Sequence, residues 1–201
     1  MRRFLIDPKV PLVWRLQKAM TGTGVLGDLG SPIIDLVEWL TDQRIVSLWP
    51  ICRPLSMSGL LPDGSGMGQV NMDDGATFLA RFVNGAMGTF VSSLYATARR
   101  NHQRVKIYGD QGALVYQWED TDHLQAAVGP VFVDEGQWMS MPIPQRFKAT
   151  EPEESANFTQ SIIEDKEMQP NFQDGLRNQE ILEAVETSAR DRHGVDLPLA
   201  A

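Results

Sequence analysis

The feature that most constrains the fold is a nearly unbroken succession of predicted β-strands between Met72 and Met141. Residues 77–83 and 87–95 are rich in β-branched and aromatic side chains, and an Asn-Gly pair at positions 84–85 separates them. Asn-Gly between two such segments is the strongest short signal for a β-hairpin, because both residues tolerate a positive φ angle. The sequence therefore predicts an antiparallel pair of strands here.

A second hairpin is predicted from residues 104–108 and 113–118, which flank the turn sequence Gly-Asp-Gln-Gly. Further strands are predicted over residues 44–51, 123–128 and 138–143. Residues 54–70 are rich in Pro, Gly, Ser and Met, so we expect a long loop there.

Helices are predicted before and after the strands. Ser31-Pro32 is typical of a helix start, with Ser31 as the N-cap and proline at the first helical position. A second helix carries Phe158 and Ile162 one turn apart, and a last helix is predicted over residues 174–190. The side chains predicted to face inward are Ile33, Leu36, Val37 and Leu40 in the first helix, and Ile181, Leu182, Val185 and Ala189 in the last.

This order of elements predicts an α+β fold: an open, mainly antiparallel sheet of about six strands with helices packed on one face. We expect residues 1–201 to form a single domain. Phe78 and Phe82 lie on one side of a predicted strand, whereas Leu79 and Val83 lie on the other, so both faces of the sheet are apolar. The helices can cover only one face, and the second predicts a homodimer or tetramer through the open sheet.

Composition excludes several partners and sites. The net charge of −8 at neutral pH disfavours nucleic acid and anionic membrane surfaces. The single cysteine, Cys52, rules out an intrachain disulfide and a cysteine-based zinc cluster. No apolar run is long enough for an export signal or a membrane span, so the sequence predicts a cytoplasmic protein.

Residues 22–27, Gly-Thr-Gly-Val-Leu-Gly, fit the G-x-G-x-x-G pattern of dinucleotide-binding turns. Such a turn must follow a strand inside a βαβ unit, and the preceding residues have no strand character. We therefore interpret the segment as a glycine-rich turn that leads into a helix.

Asp28 lies where this turn meets the predicted helix, a position from which a carboxylate can point into a cleft. It is a candidate acid/base or hydroxyl-binding group, and a cap for local backbone N–H groups is at least as simple an interpretation. Trp14 and Arg15 precede the turn and could line the same cleft; a packed tryptophan beside a surface arginine is equally ordinary. No pair of histidines or carboxylates has clear metal-ligand spacing.

A local basic cluster is formed by Arg99, Arg100, His102 and Arg104. One interpretation is a contact with an anion or a sugar phosphate. The other, which we favour, is a solvated turn between strands.

Four segments together resemble the second domain of the Gfo/Idh/MocA oxidoreductases, in order and over nearly the whole chain: residues 10–36, 74–88, 107–114 and 172–198. The resemblance implies a two-domain enzyme whose N-terminal Rossmann domain binds NAD(P) and carries a catalytic lysine. The C-terminal domain lines the substrate site and builds the oligomer. Members of the family oxidise or reduce sugars, inositols and related polyols by hydride transfer.

The chain departs from the family pattern in two ways. Its 201 residues contain no nucleotide-binding unit and no Glu-Lys-Pro motif, so we expect no cofactor for this chain alone, although the family implies NAD(P). The family pattern Asp-x-Gly-x-His is matched at Asp28 and Gly30, but Pro32 holds the position of the catalytic histidine and cannot transfer a proton. We expect the helix to begin at Ser31 or to kink there.

The resemblance implies one candidate catalytic residue and a set of candidate substrate-binding residues. Asp28 is the candidate catalytic residue, and the candidate substrate-binding residues are Trp14, Arg15, Asp28 and His102. One possible function is the substrate-binding and oligomerisation half of an oxidoreductase, inactive alone and working with a separate Rossmann-domain chain. The alternative is a non-catalytic small-molecule-binding or structural oligomer, which the missing histidine favours.

Overall fold

The computed structural model describes residues 14, 17–50, 57–60, 65–96, 98–144 and 153–199. The strands in chain order are β1 (Ile45–Pro50), β2 (Met57–Leu60), β3 (Met67–Val70), β4 (Gly75–Phe82), β5 (Met87–Ser93), β6 (Gln103–Gly109), β7 (Gly112–Trp118), β8 (Asp122–Val128), β9 (Met139–Met141) and β10 (Val195–Asp196). The helices are α1 (Lys18–Thr21), α2 (Ser31–Thr41), α3 (Pro130–Asp134), α4 (Glu153–Glu164) and α5 (Phe172–Asp191), and one π-helical turn (Leu26–Gly30) leads into α2.

The chain divides into two compact units. The first contains residues 1–96 and 169–201, and the second contains residues 97–168. Within the described residues the strand pairs are antiparallel and form two four-stranded sheets and one two-stranded sheet. The α+β class and the open antiparallel arrangement are confirmed, while a single domain over residues 1–201 stays a prediction.

The sheet of the first unit has the strand order β10–β1–β4–β5. Side chains alternate along β4, so that Phe78 and Phe82 are buried whereas Leu79 is only half-buried, as the sequence predicts. Phe78 stacks on Phe90 of β5 with ring centroids 4.5 Å apart. Helix α5 packs on β1, and the π-helical turn packs on β4 and β5, so the helices cover this face.

The opposite face of this sheet is largely uncovered. Trp49, Met87 and Val91 on this face are 45%, 77% and 69% exposed. The second apolar face predicted from the sequence is therefore present in the first unit.

The predicted loop over residues 54–70 is wrong in part. Strands β2 and β3 pair antiparallel between Met57 and Val70, with Gly59 opposite Gly68. Glycine and serine hide these strands from a composition-based prediction, because ladder hydrogen bonds use the backbone and need no β-rich side chains.

The predicted inward face of α2 is also wrong in part. Ile34 and Glu38 are the buried side chains of this helix, whereas Leu40 is 43% exposed. Glu38 is buried because its carboxylate accepts hydrogen bonds from the backbone N–H of Ile45 at 2.6 Å and from Arg44 at 3.0 Å. Partners outside the helix thus turn a polar residue inward.

Helix α2 begins at Ser31, as predicted, but Ser31 is not an N-cap. Its hydroxyl donates to the carbonyl of Gly27 at 2.6 Å instead of accepting from the next turn. Pro32 lies in the first turn, where its missing N–H is best tolerated. The Ser31 hydroxyl thus donates to the Gly27 carbonyl, next to Pro32, which has no N–H to donate.

Helix α5 begins with a capping box formed by Asn171 and Asp174. Its buried face contains the predicted Ile181, Leu182 and Val185. The predicted strands of the two hairpins, and those near residues 123–128 and 138–143, are confirmed as β4 to β9.

The sheet of the second unit has the strand order β6–β7–β8–β9, and α3 packs on β8. Val105, Val115, Ala126 and Ala127 are its buried apolar side chains among the described residues. Within the described parts of the chain, no helix is long and apolar enough to cross a bilayer.

Candidate functional site

A cavity of about 390 Å³ opens beside the glycine-rich turn of the first unit. It is lined by Trp14, Met20, Thr21, Thr23, Gly24, Gly27 and Asp28. The lining combines one aromatic ring, two hydroxyls and one carboxylate. The lining is therefore mainly polar, and the cavity is open to solvent.

Asp28 lies in the middle of the π-helical turn, and its side chain is exposed. Its backbone N–H donates to the carbonyl of Gly24 at 3.0 Å, which ties it to the start of the turn. π-Helical turns are rare and occur frequently at functional sites. Among the described lining residues, Asp28 is the only ionisable one.

Trp14 is 55% exposed and forms another part of the cavity wall. Its backbone carbonyl accepts a hydrogen bond from the N–H of Gln17 at 3.0 Å. The structure therefore brings two predicted site residues, Trp14 and Asp28, to one cavity. Arg15 lies outside the described residues.

Asp73, in the segment between β3 and β4, holds the glycine-rich turn. Its carboxylate oxygens accept from the N–H groups of Gly24 and Leu26, each at 2.7 Å. Its carbonyl accepts from the N–H of Val25 at 2.9 Å. One residue thus satisfies three consecutive backbone donors.

Two glycines of the turn are required by close approach. A Cβ atom on Gly24 would lie 2.2 Å from the backbone oxygen of Asp73, and one on Gly27 would lie 2.0 Å from the hydroxyl of Thr23. The glycine pattern therefore serves the packing of the turn against its own chain.

The turn does not fit the pyrophosphate of NAD(P). A dinucleotide fingerprint follows a strand and offers its N–H groups to phosphate. Here the turn follows the short helix α1, and Asp73 already occupies the N–H groups of residues 24–26. The interpretation as a glycine-rich turn leading into a helix is confirmed.

His102 belongs to the second unit, where its Nε2 atom is buried without a hydrogen-bond partner among the described residues. Its role in substrate binding stays a prediction.

The neighbouring arginines are paired: Arg99 contacts Glu119 at 2.8 Å, and Arg100 contacts Asp120 at 3.1 Å. The backbone N–H of Arg100 and then the Arg99 side chain lower the pKa of Glu119. These pairs support a solvated turn at the basic cluster rather than an anion site.

Sequence reasoning missed Asp73. Two adjacent acidic residues after a glycine-rich segment were the only local signal. The contacts of Asp73 cross 47 and 49 residues, a separation that no periodicity or motif reports. No group of three or more potential metal ligands occurs among the residues that the structure describes.

Comparison with known proteins gives one consistent result. The family model for the GFO/IDH/MocA C-terminal domain matches residues 2–115. Levoglucosan dehydrogenase from Pseudarthrobacter phenanthrenivorans is 31% identical over 219 residues, which cover 96% of this chain and 56% of that protein.

Solved structures agree. An oxidoreductase domain protein from Kribbella flavida superposes with a TM-score of 0.83 at 30% identity, covering 98% of this chain and 57% of the other. A levoglucosan dehydrogenase in complex with NADH and levoglucosan gives 0.81 at 28% identity, covering 96% and 56%. The chain spans just over half the length of these relatives. On its family match and its fold, the chain belongs to the GFO/IDH/MocA C-terminal domain family.

Proposed function

We propose that this chain is the substrate-binding and oligomerisation half of an NAD(P)-dependent oxidoreductase acting on a sugar, inositol or related polyol. The observation that carries the proposal is the cavity bounded by Trp14 and Asp28 in a C-terminal domain of this family. The relatives include levoglucosan dehydrogenase, which has been solved in complex with NADH and levoglucosan.

The chemistry of the lining suits a polyhydroxylated ligand. The Asp28 carboxylate can accept hydrogen bonds from sugar hydroxyls, and hydrogen bonds to an ionised acceptor are roughly twice as strong as neutral ones. Thr21 and Thr23 add hydroxyls that can donate or accept, and Trp14 supplies an apolar wall. In this proposal these groups bind and orient the ligand.

Hydride transfer requires a nicotinamide held elsewhere. The glycine-rich turn is filled by Asp73, and Pro32 cannot relay a proton from the position where the family pattern has histidine. We therefore propose that this polypeptide binds the sugar and that a Rossmann domain supplies NAD(P) and the catalytic lysine.

Levoglucosan binding to the purified chain tests the proposal. We expect saturable binding by calorimetry, weakened about tenfold or more in Asp28→Asn, because one charge-assisted acceptor is lost. Asp120→Asn is the matched control, since Asp120 is 71% exposed in the second unit. Equal affinities in the wild type and Asp28→Asn would remove Asp28 from the site.

NADH titration and a reconstituted assay test whether this chain binds the sugar while a separate Rossmann domain binds NAD(P). We expect no saturable NADH fluorescence change with this chain alone. Adding a separately produced Rossmann domain should give polyol oxidation, and Pro32→His should raise its rate. Micromolar NADH binding by the chain alone would contradict the proposal.

The oligomer is proposed to form through the open face of the first sheet. Val91 is 69% exposed there, and Val91→Glu should lower the mass in solution from dimer or tetramer toward monomer. Ile163→Glu is the control, since Ile163 is equally exposed on α4 of the second unit. A wild-type chain that is strictly monomeric would overturn this part.

A second candidate is a non-catalytic sugar-binding or structural oligomer, favoured by Pro32 alone. Sugar binding without turnover in the reconstituted assay, also after Pro32→His, would select it.

A further inference from the structure

We infer that Asp73 is the positioning residue for Asp28: its carboxylate takes the place that a phosphate has in a dinucleotide-binding turn, and thereby sets the affinity of the cavity for sugar. The inference rests on the proposed function of the cavity. Asp73 is not itself a lining residue, so it acts only through the turn that it holds.

The first step is the binding of the turn. Three consecutive N–H groups converge on Asp73 at 2.7 to 2.9 Å. Successive backbone N–H groups form a concave site for an anion, and here the Asp73 carboxylate accepts from Gly24 and Leu26 while the Asp73 carbonyl accepts from Val25. Gly24, Val25 and Leu26 are all buried, so water cannot replace these acceptors without movement of the turn.

The second step is the transmission to Asp28. The N–H of Asp28 donates to the carbonyl of Gly24, the same residue whose N–H is held by Asp73. The π-helical turn begins at Leu26, the other residue held by the carboxylate. Two residues on the N-terminal side of Asp28, Gly24 and Leu26, are therefore held by Asp73.

The third step extends the support along the cavity. Asn71 accepts from the N–H of Lys18 at 2.7 Å, and the hydroxyl of Thr21 contacts the sulfur of Met72 at 3.3 Å. Residues 71–73 thus support the lining from α1 to the π-helical turn. A change at Asp73 is expected to affect ligand binding more than a change at Asn71, because Asn71 supports only α1.

Asp73→Asn in the full chain is the decisive variant, because it keeps the shape and removes one acceptor. We expect levoglucosan to bind about tenfold more weakly, because the turn that positions Asp28 is then less rigid before the ligand binds. Amide hydrogen exchange at Gly24, Leu26 and Asp28 should become faster. Asn71→Ala should change the affinity less, and Asp120→Asn should change neither quantity.

A merely structural role would lower the urea midpoint of Asp73→Asn and leave its levoglucosan affinity at the wild-type value, which would overturn the inference. Unchanged exchange at Gly24 and Leu26 would overturn it as well. If the wild-type chain binds no levoglucosan, the proposed function of the cavity fails. Faster exchange at Asp28 in Asp73→Asn would then still support the positioning of Asp28.

Discussion

Replacing Glu38 with alanine is expected to destabilise the first unit by about 2–4 kcal/mol, because a buried N–H loses its acceptor and two arginines lose a partner. Glu38 is only 7% exposed. It contacts Arg177 at 3.5 Å and Arg44 at 3.0 Å, and it accepts the backbone N–H of Ile45 at 2.6 Å. It therefore joins α2 to β1 and α5.

The buried contacts of Glu38 determine how much stability the Glu38→Ala variant is expected to lose. Ile45 is fully buried, so its N–H would be left unsatisfied at a cost of about 1–3 kcal/mol. Arg177 is 19% exposed. It would lose its ion pair with Glu38 but keep the one with Glu180 at 3.0 Å. Arg44 is 58% exposed, and its pair with Glu38 contributes at most about 1 kcal/mol.

Urea denaturation followed by tryptophan fluorescence and by circular dichroism would measure the change, with coincident transitions as the condition for a two-state analysis. Glu38→Gln keeps an oxygen for the N–H of Ile45 and should cost about 1–2 kcal/mol. Arg44→Ala is the control and should cost less than about 1 kcal/mol. The reasoning is refuted if Glu38→Ala costs no more than Arg44→Ala.

Three further outcomes are expected. Gly24→Ala should lower the free energy of unfolding by about 1–3 kcal/mol, because its Cβ would meet the Asp73 carbonyl; an unchanged urea midpoint would contradict this. Burial, and then neighbouring carboxylates, raise the pKa of Asp35 above its ordinary 3.8, so stability falls as pH rises through that window. Asp35→Asn should therefore gain stability at neutral pH and lose the gain below about pH 4, as acid-range urea titrations would report. Burial and the bond to Asp122 raise the pKa of Tyr116 to about 12, so its contribution is lost as pH rises from 10. Tyr116→Phe should abolish this late step in an ultraviolet titration of phenolate.

The hairpin of β4 and β5 shows what local sequence can predict. Gly85 takes a φ of +87°, as the Asn-Gly signal requires, although Asn84 does not share the positive φ. The alternation along β4 was likewise predicted from local sequence. The capping box of α5 was not predicted, although Asn171 and Asp174 are only three positions apart.

Helix α2 shows where such reasoning stops. Periodicity favoured Leu36 and Leu40 as inward residues, whereas the structure buries Ile34 and Glu38. Glu38 accepts hydrogen bonds from Arg44 and from the N–H of Ile45, and Arg177, 139 residues away, adds a contact at 3.5 Å. The spacing of apolar residues along a helix does not predict polar partners outside that helix.

The sequence by itself determined the α+β class, the main strands and helices, and Asp28 as a candidate near a glycine-rich turn. Only the tertiary structure decided that Trp14 and Asp28 share a cavity and that Asp73 fills the turn. Turn formation and side-chain alternation depend on residues that are close together in the chain, so they can be predicted from a short stretch of sequence. Contacts across 47 or 49 residues depend on how helices and strands pack against each other, and local sequence patterns do not predict that packing.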